Sequence, residues 1–242
     1  MSVFHFKQFS VDDGRCAMKV GTDAVLLGAW VDLSGAKTIV DAGCGSGVIA
    51  LMSAQRSDDD TKIFAIDIND DACRDAEANV KAADREERIT VVNADVTTAT
   101  VFSSAESPML IVSNPPFFNE TLRSPDSARA LARHGDEFGV EELIRLAASK
   151  FSSDEDSLAF IAPSSRADEI EFLLSLNRLS ARRITTVFSR AGKPSLRTLW
   201  QVGRDSSASP RRLIRDELFI RDEANRFTPQ YQSLTSDFYL DK

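Results

Sequence analysis

The stretch Ile39-Val40-Asp41-Ala42-Gly43-Cys44-Gly45-Ser46-Gly47 limits the possible folds more than any other in the chain. Its apolar start reads as a buried strand, and Val48–Gln55 after it reads as a helix. Glycines at 43, 45 and 47 let the backbone between them take positive φ and approach a ligand closely. A lone G-x-G-x-G is a weak signal, and the strand before it and the helix after it strengthen it considerably. Such units build parallel sheets that bind ligands at the carboxyl ends of their strands.

The alternation continues along the chain. Strands are predicted at Thr38–Ala42, Lys62–Asp67, Ile89–Asn93, Met109–Ser113 and Leu158–Ala162, with a terminal hairpin of Arg183–Phe188 and Leu196–Val202. Helices are predicted at Asp70–Ala83, Val140–Phe151 and Arg166–Leu176, besides Val48–Gln55. Ahead of them Ala24–Val31 reads as an apolar helix with Thr22 or Asp23 as its N-cap. The pattern implies an α/β Rossmann-like fold: a mostly parallel, seven-stranded sheet with helices on both faces. At 242 residues the chain suits one domain, 1–242. An N-terminal extension (1–36) precedes a core (37–204), and a C-terminal extension (205–242) follows.

No apolar stretch approaches membrane-spanning length, and Met1–Lys7 lacks the long apolar segment of a signal peptide. Cys16, Cys44 and Cys73 are odd in number and lack metal-ligand spacing, so free thiols, a cytoplasmic setting, no metal and no membrane are expected. The sequence leaves the oligomeric state open, with a monomer favoured. Net charge is –8, yet Leu176–Arg215 holds ten basic residues against one acid, Asp205. A local field of that size suits a polyanion, or else it is a set of solvated strand and loop faces.

Three acids end successive strands: Asp41, Asp67 and Asp95. Asp41 would repel a pyrophosphate beside the glycine turn and welcome an ammonium group. Asp67, twenty residues beyond Gly47, stands where an acid holds ribose hydroxyls, and Asp95 can accept from an adenine amine. This set suits S-adenosyl-L-methionine better than a dinucleotide. A second signal is Asn114-Pro115-Pro116-Phe117, after the strand Met109–Ser113. Two prolines stiffen the backbone, so the Asn114 side-chain carbonyl and the Pro115 main-chain carbonyl face one point as paired acceptors for an NH2 group. Phe117 offers a face on which a flat base can stack.

Joined in this order, the glycine turn, Asp67, Asp95 and Asn-Pro-Pro-Phe resemble class I S-adenosylmethionine-dependent methyltransferases that act on amino groups. Phe6-Lys7-Gln8-Phe9, Arg15–Asp23 and Leu26-Leu27-Gly28-Ala29-Trp30 narrow this. With Tyr231, Leu234-Thr235 and Asp237-Phe238-Tyr239-Leu240, they resemble the bacterial tRNA1(Val) (adenine-37-N6)-methyltransferases over nearly the whole chain. The resemblance is thin between Ala162 and Arg221, where RNA contacts are sought. It implies N6-methylation of an anticodon-loop adenine, with tRNA as partner and S-adenosyl-L-methionine as cofactor. Asn114, Pro115, Pro116 and Phe117 would be catalytic. Lys19, Gly21, Thr22, Asp23, Asp41, Gly43, Gly45, Gly47, Asp67, Ile68, Asp95, Val96 and Asn114 would bind the cofactor. Phe117, Phe118, Arg133 and His134 would line the substrate cleft. The same chemistry also fits a ribosomal RNA or DNA adenine methyltransferase, or an enzyme methylating protein glutamine.

Overall fold

The computed structural model describes residues 3–116, 138–204 and 212–240. A short antiparallel pair, β1 (Val3–His5) and β2 (Ser10–Asp12), precedes helix α1 (Thr22–Trp30). The α/β alternation follows: β3 (Thr38–Ala42), α2 (Val48–Arg56), β4 (Lys62–Asp67), α3 (Asp70–Ala82), β5 (Ile89–Asn93) and β6 (Met109–Ser113). Then come α4 (Val140–Lys150), β7 (Ser157–Pro163), α5 (Ala167–Leu176), β8 (Leu179–Arg190), β9 (Ser195–Arg204), β10 (Ile214–Arg221) and α6 (Pro229–Thr235).

The central sheet is ordered β10-β8-β9-β7-β6-β3-β4-β5. It has eight strands rather than seven. The additional one, β10, pairs in parallel with β8 inside the segment expected to be a C-terminal extension. Its pattern is hard to read in sequence, because an edge strand needs little apolar surface and only Leu218 is buried. Only β9 runs antiparallel to its neighbours, so the sheet is mostly parallel as expected.

β3, β6 and nearly all of β7 are buried along their length, as central parallel strands covered on both faces should be. One core contains Leu26, Leu27, Ile39, Leu51, Ile63 and Phe238, from α1, α2, their strands and the C-terminus. The other holds Val40, Ile111, Leu143, Ile144, Phe160 and Trp200 beneath α4 and α5. The N-cap of α1 is Gly21, at φ –117° and ψ 165°; Thr22 and Asp23 already lie within the helix. In α3, Asn69 caps the N-terminus by accepting from Ala72 N at 3.0 Å, with Asp70 and Asp71 in the favourable first turn.

From β3 the chain winds outward through β4 and β5, then crosses back to β6 on the other side of β3. The loops after β3 and β6 therefore diverge, and a crevice opens at their carboxyl ends. Gly43–Gly47 and Asn114 are the residues at that point.

Candidate active site

Gly43, Gly45 and Gly47 have φ of 73°, 54° and 79°, so each lies in the left-handed region that favours glycine. The N–H groups of Gly43 and Cys44 both donate to Ile66 O, at 2.8 and 3.0 Å, tying the turn to the end of β4. A Cβ built on Gly43 or Gly45 meets no atom within 4 Å, whereas one on Gly47 would sit 3.3 Å from Ala76 Cβ. The first two glycines thus border open space suited to a ligand, and the third lets α3 approach.

Asp67 binds the turn directly. Its Oδ2 accepts from Gly45 N at 2.9 Å and its Oδ1 from Asn69 N at 2.9 Å. Beside it Ile68 is 75% exposed, a large apolar side chain at the rim of a polar cleft. Asn93 holds the corner by donating to the carbonyls of Asp67 and Ile68, at 3.1 and 3.2 Å. Asp95 Oδ1 accepts from Thr97 N and Thr97 Oγ1, at 2.8 and 2.7 Å. The Val96 side chain packs into the core.

Asp41 is completely buried, and its Oδ2 accepts from Ala50 N at 3.0 Å, in the first turn of α2. Its Oδ1 has no hydrogen-bond partner among the described residues. Burial pushes its carboxyl up to about 7, with the nearby charge of Asp67 adding to the shift and the Ala50 hydrogen bond opposing it.

Ser113 Oγ donates to Ala42 O at 2.7 Å, joining the end of β6 to the strand that enters the glycine turn. The next residue, Asn114, has a buried Oδ1 with no donor among the described residues. Pro115 after it is buried and Pro116 half-buried. Phe117, Phe118, Arg133 and His134 lie outside the described residues.

The segment before α1 is clamped to α3. Asn79 accepts from Asp12 N through Oδ1 at 2.8 Å. Its Nδ2 donates to Asp12 O at 2.8 Å and to Ser46 O, within the glycine turn, at 3.0 Å. Asp75 Oδ2 accepts from Arg15 N and Cys16 N at 2.7 and 3.0 Å, while Oδ1 pairs with the Arg15 guanidinium at 2.9 Å. Burial opposes the charge on Asp75, but these bonds together hold its carboxyl below the usual range. Asp13 closes the loop by accepting from Val20 N at 2.8 Å. Lys19 folds back onto the Asp13 carbonyl, and Asp23 pairs with Arg197 at 2.7 Å. Burial raises all three thiols around the turn, with Cys16 at about 12, so they stay protonated.

Comparison with known proteins places the chain in a family. The methyltransferase small domain model matches residues 16–140. A protein of Aeromonas hydrophila subsp. hydrophila named tRNA1(Val) (adenine(37)-N6)-methyltransferase is 40% identical, over 99% of this chain and 98% of its own. The chain belongs to the tRNA1(Val) (adenine(37)-N6)-methyltransferase family. A member from Bacteroides thetaiotaomicron is 36% identical over 98% of this chain and 97% of its own.

Solved structures agree on the fold. A predicted O-methyltransferase from Agrobacterium tumefaciens superposes with a TM-score of 0.67 at 23% identity, covering 89% of this chain and 96% of that one. A structure described as a class I S-adenosylmethionine-dependent methyltransferase from Listeria monocytogenes gives 0.56 at 14% identity, covering 88% of this chain and 65% of that one.

The site fits the cofactor of the tRNA1(Val) (adenine(37)-N6)-methyltransferase family on its own evidence. Among the described residues, open space borders Gly43 and Gly45, and buried acceptors on Asp41 and Asn114 lack donors. Among the described residues no cluster could hold a metal ion, and no helix is long and apolar enough to cross a membrane. The sequence reading missed Asp75 and Asn79. A signal existed, since both share the apolar face of α3 with Ala72, Ala76 and Val80, where a polar residue needs a partner.

Proposed function

We propose that the chain methylates the exocyclic N6 of adenine 37 in tRNA1(Val), the substrate in its relatives' names, with S-adenosyl-L-methionine as donor. The observation that carries the reading is the buried Oδ1 of Asn114, without a donor among the described residues, at the switch point of the sheet. A buried acceptor without a donor is destabilising unless a ligand supplies one, and an adenine NH2 supplies two.

On this reading the glycine turn would hold the methionine part of the cofactor, together with Lys19, Gly21, Thr22 and Asp23. Asp67 would take the ribose hydroxyls and Asp95 the adenine amine, and Ile68 would pack on the adenine. When bound, S-adenosyl-L-methionine would supply an electrophilic methyl on a sulfonium, whose sulfur–methyl bond breaks as the nitrogen–methyl bond forms and leaves a neutral thioether. Asn114 Oδ1 and the Pro115 carbonyl each accept one N–H of the target amine. Held this way, the amine turns its lone pair out of the ring plane and toward the incoming methyl. The fixed direction of approach accounts for much of the acceleration. No strong base is required, because the methylated nitrogen is acidic and releases its proton to water. Phe117 stacks on the base once it leaves its neighbours in the loop.

The test is transfer of labelled methyl to bulk tRNA by wild type and by Asn114→Ala, followed by nucleoside analysis. N6-methyladenosine should form with wild type. The variant should lose about 100-fold or more in kcat, as when one polar group aimed at the reacting centre is removed. Its affinity for S-adenosyl-L-methionine should change far less. Labelling of ribosomal RNA, DNA or a protein instead of tRNA would keep the amine chemistry and refute the substrate.

A further inference from the structure

In sequence the ten basic residues between Leu176 and Arg215 form one run, but among the described residues the sheet spreads them along its height, from Arg178 at one end to Arg190 and Lys193 at the other. β7 is parallel to β6 and antiparallel to β9, and β9 is antiparallel to β8. β8 therefore ends on the same side of the molecule as Ser113 and Asn114. Its twelve residues span about 36 Å, which separates Arg178 from Arg190 by roughly that distance.

Register places the upper end relative to the crevice. Ser113 lies opposite Phe160, Phe160 opposite Trp200, and Trp200 opposite Ile184. Arg190 is six residues beyond Ile184, so the β8–β9 turn projects about 20 Å past the level of Ser113. It stands three strands, about 14 Å, to one side of β6. The turn is well defined: Lys193 N donates to Arg190 O at 3.2 Å, and Gly192 takes φ 75°. At its base, the pairing of Arg197 with Asp23 ties this arm to the start of α1.

The two ends also differ in how their cations are engaged. Toward the lower end Arg182 and Arg204 donate to the carbonyls of Asp154 and Phe151, and Arg215, level with Ser113 through its pairing with Ile184, pairs with Glu171 at 2.7 Å. At the upper end Arg190 and Lys193 make no side-chain hydrogen bond or ion pair among the described residues. Beside them the rings of Phe188 and Phe219 stack at 4.9 Å, half-buried and part of neither core. The neighbouring end of β10 leads to Asp222 and Glu223, with Asp222 on Arg226, so the free positive charge is concentrated in the β8–β9 turn.

We propose that this projecting turn is a second anchor for the RNA, with Arg190 and Lys193 taking backbone phosphates a few nucleotides from the methylated adenine. The inference rests on the tRNA reading above and adds to it. A single-stranded loop that releases one base into the crevice must carry its flanking phosphates past a wall of this height. Cations already engaged with protein groups would have to give up those partners to bind phosphate, whereas Arg190 and Lys193 would not.

The test is methylation rate against tRNA concentration at several salt concentrations, for wild type, Arg190→Glu/Lys193→Glu and Arg178→Glu/Arg212→Glu. The last pair sits toward the lower end, exposed and likewise without side-chain partners among the described residues. The upper variant should raise KM for tRNA at least tenfold, with kcat within threefold of wild type. Its log–log salt dependence should be shallower by one to two, since each phosphate contact on a single strand contributes about 0.7. The lower variant should stay within twofold of wild type. Lys193→Glu alone alters one exposed turn residue and should show part of the effect, while Lys193→Arg should restore wild-type KM. An unchanged KM in the upper variant, or an equal loss in the lower one, overturns the proposal. Wild type that methylates no tRNA would remove the functional reading and this inference together. Active wild type with an indifferent upper variant removes only the inference.

Discussion

Asp41 shows how one buried carboxyl can serve the fold and leave an atom for a ligand. Its Oδ2 satisfies an otherwise orphaned N–H in the first turn of α2, which fixes the helix against the glycine turn. Its Oδ1 has no partner among the described residues, and the group's pKa rises on folding from 3.8 to about 7. An acid with a raised folded pKa binds more protons folded than unfolded. Stability therefore falls as pH rises from about 4 through about 7, and the penalty is constant above that. Asp41→Asn keeps an acceptor for Ala50 and removes the charge. Its stability relative to wild type, read from thermal melting, should be greater at pH 8 than at pH 5, by at most about a few kcal/mol. A pH-independent difference would show that Asp41 does not titrate in this range. If Oδ1 meets the cofactor's ammonium, wild-type affinity for S-adenosyl-L-methionine should also rise through pH 7, and the variant's should not.

Among the elements, α3 determines most about the site. It presents Asp75 and Asn79, one turn apart, to a segment more than fifty residues earlier in the chain. The existence of α3 was legible from periodicity. What Asp75 and Asn79 bind was not, because nothing local in Asp12–Cys16 specifies a partner on a distant helix. Replacing Asn79 with Leu removes three hydrogen bonds and leaves the backbone of Asp12 and Ser46 short of partners. A loss of about 2–4 kcal/mol is expected in urea unfolding. Hydrogen exchange at residues 12–21 should rise far more than the global stability change explains, and affinity for the cofactor should fall. Equal exchange in the two proteins would mean that the clamp does not order the segment.

At the scale of the molecule, the C-terminal part completes the sheet. β10 covers the edge of β8, and α1 is bound there as well, through Trp30 Nε1 to Thr185 Oγ1 at 2.7 Å and on to Asp216. Leu218, Tyr231 and Phe238 enter the core at 2%, 5% and 1% exposure. Each is worth about 2–3 kcal/mol, so the three together rival the whole stability of a typical domain. A chain ending at Arg204 should therefore lose its cooperative thermal transition and associate through the exposed strand edge, as read by circular dichroism and size exclusion. A monomer that still melts cooperatively would contradict this account.

The sequence by itself determined the glycine turn and the place of Asn114 and its two prolines at the end of a strand. Glycine at positive φ, proline after a strand and a strand-end acid act over a few residues, and their meaning survives without the rest of the fold. It also carried the α/β alternation, because hydrophobic periods are local. The tertiary structure decided what depends on long-range pairing. Strand order placed Gly43–Gly47 beside Asn114, the antiparallel return of β9 sent Arg178 and Arg190 to opposite ends of the molecule, and β10 became the eighth strand. Strand direction and register arise from contacts between distant segments, and no short window of residues contains them.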